Sequence, residues 1–297
     1  MRALVTGATG FIGKKLVSLL DSPVVLSRDP EQARSLVPGA QVYPWDPEIG
    51  SPPAEALEGI EAVFNLAGEP IGRRWTPARK ARIRSSRVLG TRNLVEGLRR
   101  MQNPPAVLVS ASAVGYYGSR GDEILEEDAG PGNDFLAEVS SEWEEEARAA
   151  GESGIRVVTA RLGIVLGREG GALAQLLLPF RLGLGGPLGS GRHYWPWVHL
   201  EDAARMFLHA AETSDLSGPM NVVSPEPVTN RAFSRTLGSV LKRPSLLPVP
   251  TPVLRIIMGE LSTMLLASQR AMPGAAVRSG FTFQFSGLAE ALIEIIG

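Results

Sequence analysis

The sequence predicts an α/β fold: a doubly wound parallel sheet with a smaller, mostly helical carboxyl-terminal part. Three observations predict it. The chain opens on a short apolar strand, Arg2 to Thr6, that runs into a glycine-rich turn and then an amphipathic helix through Leu20. Apolar runs of strand length then alternate with helical patterns to about residue 160, a rhythm that implies parallel strands joined by right-handed crossovers. The run Ala106 to Ser110 is nearly continuous in apolar residues, which suits a strand covered on both faces.

The remaining elements follow in order. Pro23 to Ser27 is the second apolar run, and a short helix over 30–37 starts with Pro30 at its first position. A strand at 41–45 and a short helix near 53–58 precede the strand Ile60 to Leu66. Thr76-Pro77 is a helix start, a hydroxyl cap followed by proline, and the helix runs to about Arg100. After the strand at 106–110 comes an acidic, glycine-rich loop over 119–132. A helix from about Phe135 to Ala150 follows, its glutamates Glu138, Glu142, Glu144, Glu145 and Glu146 reading as mostly a solvated face. Ile155 to Thr159 is the sixth strand.

Beyond Gly167 the rhythm changes. An apolar helix at 172–182, a glycine-rich segment at 183–192, an aromatic extended segment at 193–200 and a helix from Asp202 to Glu212 precede a short strand at 220–223. Helical segments at 228–241, around Ile256 and at 286–296 complete the chain. The division expected is 1–167 as a dinucleotide-binding domain to which 198–227 returns. Residues 168–197 and 228–297 then form a smaller substrate or cap domain.

Composition narrows the function. The 297 residues carry 21% charged side chains and a formal net charge of -1, so nothing resembles the basic footprint of a nucleic-acid binder. The absence of cysteine excludes disulfides, thiol catalysis and cysteine-ligated zinc. His193, His199 and His209 are not spaced as a metal cluster. No apolar run reaches membrane-spanning length and no signal-peptide pattern precedes the first strand, so the expectation is a cytoplasmic protein without a membrane partner.

The opening motif is Gly7-Ala8-Thr9-Gly10-Phe11-Ile12-Gly13, a Rossmann-type fingerprint between strand and helix. Gly7 permits the tight turn, Gly10 lets backbone N–H groups approach a pyrophosphate, and Gly13 lets helix and strand pack closely. Thr9, Phe11 and Ile12 complete the loop that faces the phosphates at the helix N-terminus. Ser27 and Arg28 stand 20 and 21 residues beyond Gly7, where an acid would bind the ribose hydroxyls of NAD. A serine and an arginine suit a 2′-phosphate instead, so the expected cofactor is NADP. Leu66, Ala67 and Gly68 end the fourth strand with side chains small enough for the cofactor ribose to pass. Ser112 and Tyr116, just past the fifth strand, border the ligand crevice and are the candidates for chemistry, with Tyr117 as the fallback. Trp195 and Trp197 read equally as pocket lining or core, and the glycines at 185–191 as a ligand-facing loop or a surface turn.

Thr6 to Gly13, Asn65 to Gly68, Ser110 to Ser112, Arg161-Leu162-Gly163 and Trp197 to Asp202 together resemble an extended short-chain dehydrogenase/reductase. Ala67 to Ile71, Arg74-Trp75, Ser86-Arg87 and the run 112–118 resemble an atypical branch of it, nucleoside-diphosphate-sugar epimerase-like "epimerase family" proteins. The resemblance implies a two-domain body with NADP across the strand ends, with Arg161 among the cofactor contacts. It also implies that Ser112 orients a substrate oxygen, and that a Tyr-x-x-x-Lys pair lies on the helix starting near 134. The chain departs from this: Asp134 to Glu144 holds neither tyrosine nor lysine, and lysines occur only at 14, 15, 80 and 242. Two functions therefore stand open. One is an NADP-dependent oxidoreductase or epimerase-like enzyme using Ser112 and Tyr116 on a hydroxyl or carbonyl substrate, a sugar nucleotide among the candidates. The other is a non-catalytic NADP(H) sensor or scaffold. A homodimer through the helices 76–100 and 135–150 is the oligomer expected, as in the family it resembles.

Overall fold

A computed structural model describes residues 1–297. In chain order the amino-terminal elements are β1 (Ala3–Thr6), α1 (Phe11–Val17), β2 (Val24–Ser27), α2 (Pro30–Leu36), β3 (Gln41–Pro44), α3 (Ala54–Leu57), β4 (Ala62–Asn65), α4 (Pro77–Arg99) and β5 (Val107–Ala113). Then come β6 (Ile124–Leu125), α5 (Phe135–Arg148), β7 (Arg156–Leu162), β8 (Ile164–Gly167), α6 (Gly171–Arg181), β9 (Tyr194–Trp195), β10 (Trp197–His199), α7 (Leu200–Glu212) and β11 (Gly218–Val222). The rest are β12 (Val228–Thr229), α8 (Asn230–Val240), α9 (Thr251–Met258), α10 (Leu261–Leu266), β13 (Arg270–Ala271), α11 (Gly274–Arg278) and α12 (Leu288–Ile296).

Seven strands form one parallel sheet in the order β11-β7-β5-β4-β1-β2-β3. Side-chain alternation sorts its residues between two helical layers. Ala3, Val5, Phe64 and Val109 face one way and share a core with Met206 and Phe207 of α7. Leu4, Val63 and Leu108 face the other way, onto Leu94 and Leu98 of α4 and Ala147 of α5. On this second face the pattern changes along each strand. Leu4 gives way to Thr6, Val63 to Asn65, Leu108 to Ser110 and Ser112, and Val157 to Thr159 and Arg161. The carboxyl ends of the strands therefore present polar groups under α4 and α5. The smaller carboxyl-terminal region is mostly helical, and its core gathers Phe180, Trp195, Trp197, Phe233, Leu237, Leu254 and Leu292.

Capping follows the local chemistry. Thr76 accepts the N–H of Arg79 at 3.2 Å and Asp29 that of Gln32 at 3.0 Å, each ahead of a proline. Three expectations are corrected. β5 continues to Ala113 because Ser112 and Ala113 stay paired with Arg161 and Leu162. Ile124-Leu125, inside the expected loop, is a strand because it pairs with the distant Arg270-Ala271. The helix expected from Asp202 starts at Leu200, because His199 caps it, its Nδ1 accepting the N–H of Glu201 at 3.1 Å. Asp202 is fully buried and accepts the N–H groups of Gln284 and Phe285, each at 2.9 Å, as well as pairing with Arg205. No helix is long and apolar enough to cross a membrane.

Candidate functional site

The glycine turn sits between β1 and α1 at the carboxyl edge of the sheet. Gly7 has φ +68°, and a Cβ there would stand 2.7 Å from the Leu66 carbonyl. A Cβ on Gly13 would stand 2.2 Å from the Gly7 carbonyl oxygen. Gly10 heads α1 without any side-chain cap, so the first-turn N–H groups meet no side chain of their own segment. The Phe11 ring turns away from the loop, packed against Gly167, Gly170 and Gly171, where added Cβ atoms would stand 2.7–3.0 Å from it. This ties the turn to the start of α6.

Beside the turn, β2 ends at Ser27. Its hydroxyl donates to the Asp29 carbonyl at 3.0 Å and accepts the Asp29 N–H at 3.1 Å, which shapes the corner. Arg28 at that corner is exposed and takes part in no ion pair. Under the strand ends runs a buried polar network. Thr6 Oγ1 donates to Asn65 Oδ1 at 2.8 Å and accepts the N–H groups of Leu66 and Ala67, each at 3.1 Å. Asn65 Nδ2 donates to Thr91 and Ser110, and Thr91 also accepts the Trp143 indole N–H at 2.8 Å. The network holds the Leu66–Gly68 segment in place, so buried polar groups on β1, β4 and β5 are satisfied by one another.

A second network lies under β5 and β7. Glu144, expected on a solvated face, is 1% exposed. It receives Arg161 Nε at 2.8 Å, Arg161 Nη2 at 2.9 Å and the Ser112 hydroxyl at 2.7 Å. The correction has a plain cause: Glu144 is on the inner face of α5 with Trp143 and Ala147, and a buried acid is tolerated because a bidentate cation meets it. Burial works against the Arg161 charge, but hydrogen bonding and attraction to Glu144 outweigh it and raise the pKa. Arg161, expected among the cofactor contacts, is 2% exposed, with Nη1 donating to Tyr117 Oη at 2.9 Å and the Glu127 carbonyl at 3.0 Å. Tyr117 is enclosed too: its hydroxyl donates to Asn221 Oδ1 at 2.7 Å, and burial raises its pKa. Ser112 is 1% exposed with its hydroxyl spent on Glu144.

Tyr116 is the exception. Its ring lies on the Arg161 guanidinium, whose carbon is 3.6 Å from the ring centroid, and meets Tyr117 edge-on at 5.4 Å. The residue is half-buried, and its hydroxyl bonds to no protein atom. On α5, the positions one and two turns before Glu144 on the same face are Ser140 and Leu136. Ser140 is buried, and Leu136 packs against Gly115. Neither ionises, so the tyrosine–lysine pair implied by the resemblance has no counterpart on this face. Glu138 and Glu142 point outward to Arg84, with Arg84–Glu142 at 2.5 Å and Arg84–Glu138 at 3.7 Å.

The other candidates are structural. Trp195 and Trp197 are buried, their indoles donating to the carbonyls of Leu265 and Glu226. The 185–191 loop packs on the carboxyl-terminal region, since a Cβ on Gly186 would stand 1.9 Å from the Leu247 carbonyl oxygen. An open cleft of about 920 Å³, lined by Glu127, Asp215, Ser217, Pro219 and Arg278, runs along the outer edge of β11. It lies four strands from β1 and is not the crevice of the glycine turn. Glu144 and Asn221 were not singled out as partners of these groups, although the polar side chains at Ser110, Ser112, Thr159 and Arg161 signalled that buried polar partners meet the strand ends.

Comparison with known proteins adds to this geometry. Residues 3–223 match the model of the NAD dependent epimerase/dehydratase family. The chain belongs to that family. Residues 249–295 match a second model, a domain of unknown function named DUF1731. Among relatives of this epimerase/dehydratase chain, "Epimerase family protein YfhF" of Bacillus subtilis is 38% identical, covering 100% of this chain and 98% of its own. "Epimerase family protein SDR39U1" of Bos taurus is 39% identical, with 100% of both chains covered. The crystal structure of human epimerase family protein SDR39U1 with NADPH superposes with a TM-score of 0.89 at 36% identity, covering 99% of each chain.

Proposed function

We propose that the protein is an NADP(H)-dependent oxidoreductase or epimerase-like enzyme acting on a hydroxyl or carbonyl group, with sugar nucleotides the first substrate class to test. The observation that carries this is the glycine turn set beside the unpaired Arg28. Residues 1–167 and 198–227 hold the dinucleotide, and 168–197 with 228–297 cap the substrate. Thr9, Phe11, Ile12 and Gly13 receive the pyrophosphate through backbone N–H groups, on the turn shaped by Gly7 and Gly10, where the Gly10 N–H donates to the Gly7 carbonyl at 3.0 Å. Ser27 and Arg28 receive the 2′-phosphate, and Leu66, Ala67 and Gly68 underlie the ribose. The human relative, 36% identical, was crystallised with NADPH, which supports the same cofactor here.

When bound, the nicotinamide supplies a hydride donor or acceptor. Tyr116 is the group that moves the proton: its free hydroxyl donates to the substrate oxygen as negative charge grows there, an alkoxide being a far stronger base than a phenolate. Ser112 and Arg161 act behind it. Ser112 and Glu144 fix the guanidinium, and the guanidinium fixes the Tyr116 ring.

Two measurements test this reading. Arg28→Glu is expected to raise the NADPH dissociation constant at least about tenfold while leaving that for NADH within about twofold, since only the 2′-phosphate meets this side chain. Equal losses for both cofactors overturn the 2′-phosphate role. Tyr116→Phe is expected to remove carbonyl-dependent NADPH oxidation by about a hundredfold or more with NADPH affinity unchanged. A second reading, an NADP(H)-binding regulator without turnover, is favoured by the unionisable Leu136 and Ser140 on α5. It is selected if the wild-type protein binds NADPH and oxidises it with no carbonyl compound in a broad panel.

A further inference from the structure

The carboxyl-terminal region carries an apolar surface on the outside of α6 and α9. α9 buries Leu254 in the core of that region. Its opposite face turns Val253, Ile256 and Ile257 outward, at the i, i+3 and i+4 spacing of one helical stripe. Leu178 and Leu182 project from the end of α6, and Leu246 and Leu247 from the segment that leads into α9. These leucines and the two isoleucines are 63–79% exposed, an unusual concentration of large apolar groups in water.

The stretches belong to one surface. The Gly189 N–H donates to the Val249 carbonyl and the Val249 N–H to the Pro187 carbonyl, each at 2.9 Å. A Cβ on Gly183 would stand 3.6 Å from the Pro244 ring. The chain leaving α6 therefore runs beside the chain entering α9.

The charge on this surface has one sign. No aspartate or glutamate occurs over 170–200 or over 227–259. Arg181, Lys242, Arg243 and Arg255 are exposed there, and none takes part in an ion pair. Glu260, which follows α9, is held by Lys80 of α4 at 2.5 Å. The whole chain has a formal net charge of -1, so the excess of cations is local to this surface.

Two copies meeting through this surface would set like charges against each other, which disfavours a self-complementary contact. The apolar groups stand out from a helix and a turn. A bilayer accepts such side chains without a matching pocket, and anionic headgroups meet the cations around them. We propose that this surface docks the protein on an anionic phospholipid bilayer. α9, with eight residues, is too short to cross a membrane and lies along the interface instead.

Flotation of the full chain with vesicles tests this. Vesicles of phosphatidylcholine alone are compared with equal mixtures of phosphatidylcholine and phosphatidylglycerol, at low and at high salt. Wild type is expected to bind the mixed vesicles at low salt at least about tenfold more tightly than the neutral ones, and to lose that advantage at high salt. Leu246→Ser with Ile256→Ser weakens binding to the mixed vesicles at least about tenfold, because the inserted apolar area is lost. Lys242→Gln with Arg243→Gln weakens it by a similar factor at low salt and reduces the salt dependence. Ile49→Ser changes an exposed isoleucine in the loop after β3 and leaves binding unchanged. All these side chains are exposed, and equal melting temperatures show that each variant is folded. If a double variant does not fold, Leu246→Ser and Ile256→Ser carry the comparison singly. Wild type that leaves the mixed vesicles unbound at low salt overturns the proposal. Equal binding by all variants overturns it too, as does a loss in Ile49→Ser as large as that at the surface. A wild-type dimer that Leu246→Ser with Ile256→Ser dissociates, without vesicle binding, assigns the surface to a second copy and overturns it as well. NADPH enters none of these readouts, so failure of the cofactor reading leaves the test intact.

Discussion

Gly13→Ala is expected to abolish NADPH binding and to destabilise the fold by about 3 kcal/mol or more. The new Cβ would lie 2.2 Å from the Gly7 carbonyl oxygen and 2.8 Å from the Ala8 Cα. Both obstacles are backbone atoms, so no rotamer change relieves the contact. Relief requires α1 to move away from β1, which displaces the first-turn N–H groups that receive the pyrophosphate. It also pulls Phe11 out of its seat on Gly167, Gly170 and Gly171, coupling the damage to α6. Urea denaturation and NADPH titration of the same preparation check both effects. A variant that keeps wild-type stability and affinity would show that the turn is not the rigid cradle described.

The second large effect is expected at Glu144. Glu144→Ala leaves the Arg161 guanidinium buried without its carboxylate, a loss of about 3–5 kcal/mol. Ser112 loses its acceptor in the same step, and Tyr116 loses the fixed cation under its ring. Turnover is therefore expected to fall further than the stability loss alone explains, under conditions where the variant remains folded. Replacing both partners with apolar side chains, Glu144→Leu with Arg161→Met, is expected to recover much of the stability and none of the activity. Denaturation of the two single variants and the double variant measures the coupling. A cost below about 1 kcal/mol for Glu144→Ala would mean that the pair is solvated after all.

Much of the amino-terminal half was legible from residue order. The glycine spacing, the proline caps and the apolar runs are local signals, and each strand through Asn65 appears within two residues of its expected place. Signals failed where a distant partner decides the outcome. Ile124-Leu125 becomes a strand only beside Arg270-Ala271, and the Asp202 carboxylate is buried because Gln284 and Phe285 bring their N–H groups to it. The run of glutamates on α5 was read as one solvated surface, whereas helical geometry turns Glu144 inward by one step from Glu145.

Residue order by itself determined the parallel sheet, the phosphate-receiving turn and the absence of a tyrosine–lysine pair, because these depend on neighbours within a few positions along the chain. Folding decided which polar side chains remain available to a ligand. Ser112, Tyr117 and Arg161 are taken up by Glu144 and Asn221, while Tyr116 and Arg28 keep free hydrogen-bonding groups. Such availability depends on which groups on separate strands and helices reach each other once the layers pack, and a linear spacing does not contain that distance.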